Sequence, residues 1–473
     1  MSCWPAPTHR SPDVSRRGCD DWHSTRQALF GRGAQELVPV PAEVMTGGLS
    51  AFERSGGLTR RNVLAGGVGL FLAASGMGGL SSKRLLEAAA AQAAEDPNGK
   101  ILVLIHQDGG NDGLNTLVPL ADPRYRELRS RIGIAPATTL ALPGVTDFGW
   151  HPALTGLKEL YDAGKVAVLP SVDFANPDQS HFNSAGYWRS GIVGKAPDRT
   201  GWLGRTMDLI GTPENALQAV SVTYSLDPVL LSKRAAVGTV YDPSDFGFWI
   251  PDVWSEDAFL PLYRQISQGA RGSGHVAAQA AYRNAITMRD RLRPLHVDDE
   301  HPAAPTPREY PDSSLGKGLR NLSRMLAAGL GTRVATVSSG GGYDTHDDQP
   351  GKHADLLKDL GDSLAAWQAD LDSKGLGDRV ITMVWSEFGR RAEDNESMGT
   401  DHGAGGLVLV VGNKAKGGIQ SEFPGLGRLD EDGNLLVSTE FRTVYASLLE
   451  SWMGVEAAKI LPGIDARRLP LIA

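Results

Sequence analysis

Four short stretches hold side chains that can bind a cation or move a proton. They are His106-Gln107-Asp108-Gly109-Gly110-Asn111-Asp112, Ser180-His181, Asp344-Thr345-His346, and Glu387 followed by Asp401-His402. Imidazole nitrogens and carboxylate oxygens are the ordinary ligands of divalent ions. Asp344 and His346 lie two apart, so in an extended segment they face the same way and could share one metal; Asp344 could equally cap a helix. Glycines beside Asp108 and Asp112 let the backbone approach a ligand, although Asn111-Asp112-Gly113 also fits ordinary turn chemistry. Ser180 precedes a helical pattern, where a hydroxyl nucleophile would find free backbone N–H groups that also bind phosphate or sulfate oxygens. The same position suits an N-cap serine.

Composition removes several alternatives. The only two cysteines, Cys3 and Cys19, precede a segment of export type, so any metal must rest on histidine and carboxylates rather than thiolates. The formal net charge is -8 with no long basic block, which argues against a nucleic-acid partner. GxSxG, HExxH, P-loop and CxxC patterns are absent, which removes the common esterase, zincin and nucleotide readings.

The elements that would position these groups alternate between strand and helix. Apolar, largely β-branched runs at Ile101–Ile105, Val166–Val172, Val334–Val337, Val380–Trp385 and Leu407–Val411 read as strands, the first four of them parallel. Leucines at 315, 319, 322, 326 and 330, and Leu356, Leu360, Leu364, Trp367 and Leu371, follow helical spacing. In an open α/β sheet ligands bind beyond the carboxyl ends of the strands, and each polar stretch adjoins such an end. Residues of about 211–312 carry weaker signals and a proline-rich acidic run, and read as a variable surface insertion with short strands near Ala219–Val222 and Ala236–Tyr241.

Residues 1–44 show no period and read as disordered or untranslated, with Met1 and Met45 both possible starts. Within 45–97, Arg60-Arg61, a glycine-interrupted apolar run and Ala91-Gln92-Ala93 match a twin-arginine export signal, with a membrane anchor or buried Gly-rich helix as the bland alternative. The glycines weaken that run, so no permanent membrane span is expected. The expected partner is the twin-arginine translocase during export, and the expected location is the periplasm or beyond.

The motifs ILVLIHQDGGNDGLNTLVP, SHFNSAGYW, TGWLGR, GGYDTH, SEFGRR, GTDHGAGG and TEFRTVYASLLESWMG together resemble the DUF1501 family, exported bacterial proteins usually grouped with the alkaline phosphatase and sulfatase superfamily. The resemblance covers about residues 98–460. It implies a doubly wound, mostly parallel sheet flanked by helices over 98–465, and a metal-dependent hydrolase ancestry with Zn, Mn, Ca or Mg as the ion. It also implies site residues. Asp112 looks like the metal-binding carboxylate after the first strand, with Asp108 second. Asp344 with His346, Glu387, and His402 with Asp401 look like further ligands. Ser180 holds the nucleophile's place. Phe388 stands where the best-known phosphatases carry a histidine ligand, and His181 lies outside their pattern.

Two functions are carried forward: hydrolysis of phosphate or sulfate esters, small or polymeric, and non-catalytic binding or assembly in the cell envelope. For the first, Asn111 is expected to help hold the substrate's anionic oxygens. The geometric expectation is that Asp112, Ser180, Asp344, His346, Glu387 and His402 line one cleft with His181 at its rim.

Overall fold

The computed structural model describes residues 99–194, 199–248, 256–268, 273–298, 302–465 and 467–473. The cysteines, the twin-arginine segment and the alternative starts lie outside them. The strands are β1 (Ile101–His106), β2 (Leu117–Pro119), β3 (Leu140–Leu142), β4 (Val145–Trp150), β5 (Val166–Asp173), β6 (Ala219–Val222), β7 (Gly238–Thr239), β8 (Val334–Ser338), β9 (Val380–Trp385), β10 (Gly406–Val411), β11 (Gly418–Ile419) and β12 (Thr439–Glu440).

The expected α/β architecture is present. Nine strands form one sheet in the order β11-β5-β10-β9-β1-β8-β6-β7, with β12 also on β5. Every pairing in it is parallel except those of β10, which runs against both β5 and β9. β1, β9 and β10 are buried along their whole length, which is why they read as unbroken apolar runs rather than alternating ones. Odd and even positions of β1 serve different faces. Ile101, Val103 and Ile105 join Leu319, Leu322, Leu364 and Trp367 from the helices Ser314–Ala327 and Gln349–Ser373. Leu102 and Leu104 join Trp188, Trp202, Phe441 and Tyr445 from the helices His181–Ser190, Trp202–Ile210 and Phe441–Leu448.

The stretch read as a variable insertion does more than decorate the surface, because β6 and β7 extend the main sheet beyond β8. Its helices Glu256–Gln268 and Ser273–Leu292 share a small separate core of Phe248, Leu260, Ala285 and Ile286. β2, β3 and β4 form a second, antiparallel sheet. Among the described residues no helix is long and apolar enough to cross a membrane.

One consequence of topology builds the site. Since β10 returns antiparallel to β9, the whole of 386–405 stays at the edge where β1, β5, β8 and β9 end. Glu387, Arg390, Asp401 and His402 are all delivered to that edge by a single connection.

Candidate metal centre

Three loops and one helix start meet at this edge. The glycine-rich turn after β8 carries Asp344 and His346, the end of β1 and the turn after it carry His106 and Asp108, the 386–405 connection carries Glu387, Arg390, Asp401 and His402, and the helix His181–Ser190 opens with His181. Close approach of the first two loops requires a glycine. Gly109 has φ +122, and a Cβ there would overlap the backbone of Tyr343 and Asp344. Gly403, next to His402, likewise lies against the backbone of Arg390 and Arg391, and Arg390 and His402 form an isolated antiparallel bridge.

Asp344 is the hub. Its Oδ1 lies 3.0 Å from His346 Nε2, 3.1 Å from His402 Nε2 and 2.7 Å from Arg390 Nη2, and its Oδ2 lies 3.5 Å from His181 Nε2. Burial opposes ionisation of this carboxyl, but its contacts with the His181, His346 and His402 rings and the Arg390 charge outweigh it and hold it well below the usual carboxylate range.

The other ring nitrogens are equally informative. His181 Nδ1 lies 2.8 Å from Glu387 Oε1, His346 Nδ1 lies 3.3 Å from Asp401 Oδ1, and His402 Nδ1 lies 2.9 Å from the Gln179 carbonyl oxygen. These partners only accept, so each Nδ1 carries the proton. In a neutral ring each Nε2 then carries a lone pair. Three lone pairs and a carboxylate at such distances repel one another, and the Arg390 guanidinium, 2.7 Å from Asp344 Oδ1, offsets the carboxylate but touches none of the three lone pairs. His346 Nε2 and His402 Nε2 are 3.0 Å apart, too close for both to hold protons there. The donor set therefore fits a cation bound by imidazole Nε2 atoms, with outer acceptors on Nδ1 as is usual for metal-bound histidine.

Glu387 stands behind this shell. Its oxygens receive the Gly109 N–H at 3.0 and 3.2 Å, the Ser386 hydroxyl at 3.2 Å, His106 Nε2 at 3.0 Å and His181 Nδ1 at 2.8 Å. Burial works against its charge, yet hydrogen bonds from His106 and His181 hold the carboxyl well below its ordinary value. So placed, Glu387 orients His181 rather than offering an open lone pair. Asp401, hydrogen-bonded first by His346 and also by Asn395, is lowered to about 2. The side chains of His346 and Asp401, 23% and 35% exposed, form the open side of the cluster, whereas His181 and Glu387 are 1% exposed.

Glu387 and Asp401, expected as ligands, lie instead against the Nδ1 atoms of His181 and His346, and four further expectations need correction. Asp112 does not join the cluster: Arg129 Nη1 and Nη2 hold its carboxylate at 2.5 and 3.0 Å, Gln349 Nε2 at 2.6 Å, and the N–H groups of Leu114 and Asn115 complete a helix cap. Asn111 is 1% exposed, with its side chain bonded to Thr116 and His353, so it faces an internal network rather than a substrate. Ser180 caps its helix through Asn183 N–H at 3.5 Å. His181 is not at a rim but at the centre, linking Glu387 to Asp344. Asp108, by contrast, keeps a place at the edge: His106, Asp108 and Glu387 offer ligand atoms within 4.8 Å of one another, as do His181, Asp344 and His402.

Sequence reasoning gave His106 no role of its own within its stretch and missed Arg390. His106 ends β1 and stacks on Trp385, with ring centroids 4.1 Å apart, so the rule applied to the other strand ends would have found it. Arg390 had no such signal. Besides Asp344, its guanidinium binds the carbonyls of Gly109, Gly110, Tyr343 and Thr400, which marks it as the clamp that joins the loops.

A family model described as "Protein of unknown function (DUF1501)" matches residues 180–451. This chain belongs to the DUF1501 family. The match contains His181, Asp344, His346, Glu387, Asp401 and His402, and excludes His106 and Asp112. Among solved structures, a protein in the alkaline phosphatase superfamily from Vibrio parahaemolyticus is similar over 71% of this DUF1501 chain and 70% of its own, at 9% identity and a TM-score of 0.28. That likeness is too slight to carry an argument. No curated protein matches the chain.

Proposed function

We propose that this DUF1501 protein is a metal-dependent hydrolase of phosphate or sulfate esters. The observation that supports the reading most is the meeting of three imidazole Nε2 atoms on the Asp344 carboxylate, each ring's Nδ1 being held by an acceptor. His181, Asp344, His346 and His402 would hold the ion. Three nitrogens and one carboxylate favour zinc, or a neighbouring transition metal, over the all-oxygen preference of calcium and magnesium. When bound, such an ion supplies Lewis-acid polarisation of an ester oxygen and acidifies a water molecule.

The chain's own groups divide the remaining work. Glu387 and Asp401 fix the rings of His181 and His346, and Arg390 holds Asp344 in place. Substrate would approach past His346 and Asp401, the exposed members of the cluster. With the Ser180 hydroxyl turned to its own helix, attack is assigned to water. Export by the twin-arginine route remains part of the proposal.

The test is elemental analysis of purified protein, followed by assays on aryl phosphates and aryl sulfates with Zn²⁺, Mn²⁺, Mg²⁺ and Ca²⁺ after chelation. Turnover restored by one of these ions is the expected result. Protein inert with every ion would overturn the hydrolase reading. One observation favours the alternative of a non-catalytic envelope-binding protein: the Arg390 guanidinium is fully engaged by protein carbonyls and Asp344, and so offers nothing to a transferring group. A metal-loaded but inert protein would select that alternative. Loss of turnover in Ser180→Ala would instead return the attack to the Ser180 hydroxyl.

A further inference from the structure

An aromatic platform lies along the same edge of the sheet as the metal cluster. Tyr224 follows β6 and Tyr241 follows β7, and both strands run parallel to β8, so both tyrosines leave the sheet at its carboxyl edge. β6 and β7 are one and two strand positions beyond β8, roughly 5 and 10 Å along the edge. The two rings stack, with centroids 4.0 Å apart and planes at 20°. Tyr224 is the outer ring and is 77% exposed, far more than any other exposed large apolar side chain among the described residues.

The stacked pair holds a flat apolar face towards water. The surroundings say what could cover it. Desolvation first, then Tyr241 and the carboxylates of Asp245 and Asp242, push the Tyr224 phenol up. Asp242 Oδ1 receives the Ser244 N–H at 2.7 Å and lies 3.9 Å from Arg324 Nη1, so the charge beside the ring is that of Asp245 and a partly balanced Asp242, which does not attract a polyanion such as nucleic acid. These groups suit a ligand with one apolar face and many hydroxyl donors, since sites of this kind combine aromatic area with a few placed acceptors.

We propose that Tyr224, stacked on Tyr241 and flanked by Asp242 and Asp245, is a binding platform for a neutral sugar ring of a glycan. The use of the platform rests on the ester-hydrolase reading: a glycan held there would reach along the edge and present an ester-bearing residue to the cluster. That makes the substrate class a phosphorylated or sulfated carbohydrate. The region that carries the platform is the stretch 211–312, where the sequence shows its weakest regular signals.

The test needs no turnover. Cellohexaose, maltohexaose and chitohexaose are titrated into the intact protein by calorimetry and by saturation-transfer NMR, with adenosine monophosphate as a flat anionic control. At least one hexaose is expected to bind. Tyr224→Ala should weaken that binding tenfold or more, while Tyr224→Phe retains it and metal content stays unchanged in both. Asp242→Asn with Asp245→Asn should also weaken it. Failure of all three hexaoses to bind, equal binding by Tyr224→Ala, or preference for adenosine monophosphate would overturn the platform. Because binding and aryl-ester hydrolysis are measured separately, an inert but glycan-binding protein refutes only the hydrolase reading. A hydrolase that ignores every hexaose refutes only the platform.

Discussion

Asp112, buried, and Asp344, largely buried, are carboxylates in glycine-bearing loops at the carboxyl edge of one sheet, yet the chain surrounds them with opposite chemistry. Asp112 meets a guanidinium fork, an amide and two backbone N–H groups, all donors. The positive charge it needs is supplied by Arg129, and both side chains are fully buried. Asp344 also touches one guanidinium, but the rest of its shell is three imidazole Nε2 atoms whose protons are drawn to the far side of each ring. The first arrangement is complete without a ligand. The second has Arg390 as its one fixed cation, its imidazole Nε2 atoms suit a further one, and its His346 and Asp401 side stands open.

The sharpest way to break this comparison is to remove the cation from the complete site. Arg129→Ala leaves Asp112 charged, buried and unpaired, and should cost about 3–5 kcal/mol in denaturant unfolding, the typical loss when one partner of a buried pair is removed. A loss near that of an ordinary surface change would mean that Arg129 does not neutralise Asp112.

Acid should reveal the same difference. Although burial alone would raise it, Arg129 holds the Asp112 carboxyl at about 2 against an ordinary 3.8. A lowered folded-state value stabilises above the unfolded value and is lost as pH falls, so roughly 2–3 kcal/mol should disappear between about pH 4 and pH 2. Asp112→Asn should flatten that limb of the stability-against-pH curve; an unchanged limb would refute the assignment.

Smaller effects separate orienting residues from ligands. Glu387→Gln should weaken metal binding by about 10–100-fold without changing the ion count or the cobalt absorption spectrum, as expected for an outer partner of a metal-bound histidine. A changed spectrum would make Glu387 a ligand instead. Ser180→Ala should cost about 1 kcal/mol of stability, the usual loss of an N-cap, with metal affinity unaltered. A drop in affinity would place its hydroxyl in the metal shell.

Much of this was legible in the sequence. The buried β-branched runs and leucine-spaced helices give the mostly parallel sheet, and the polar residues at strand ends pick out Asp344, His346, Glu387 and His402 as neighbours at one edge, although Glu387 stands behind His181 rather than among the expected ligands. What the sequence could not separate was Asp112 from Asp344. Both follow glycines after a strand, and the difference lies in a partner: Arg129, which stands 17 residues from Asp112 and reaches it only when the loop folds back. The role of His181 was hidden for a related reason. Next to an N-cap serine it looks incidental, but the first turn of its helix aims its ring between Asp344 and Glu387. β10 was foreseen as a strand, but its direction was not, since direction depends on pairing rather than composition.

The most direct measurement is metal content per chain by plasma mass spectrometry, on wild type, His402→Ala and Asp344→Asn, each dialysed against a weak chelator and checked for folding by circular dichroism. At least one tightly held divalent transition ion is expected in the wild type, lost in both folded variants and retained in Ser180→Ala. A wild-type protein with no such ion, or variants that keep it, would contradict the claim that Asp344 and its three histidines form a metal centre.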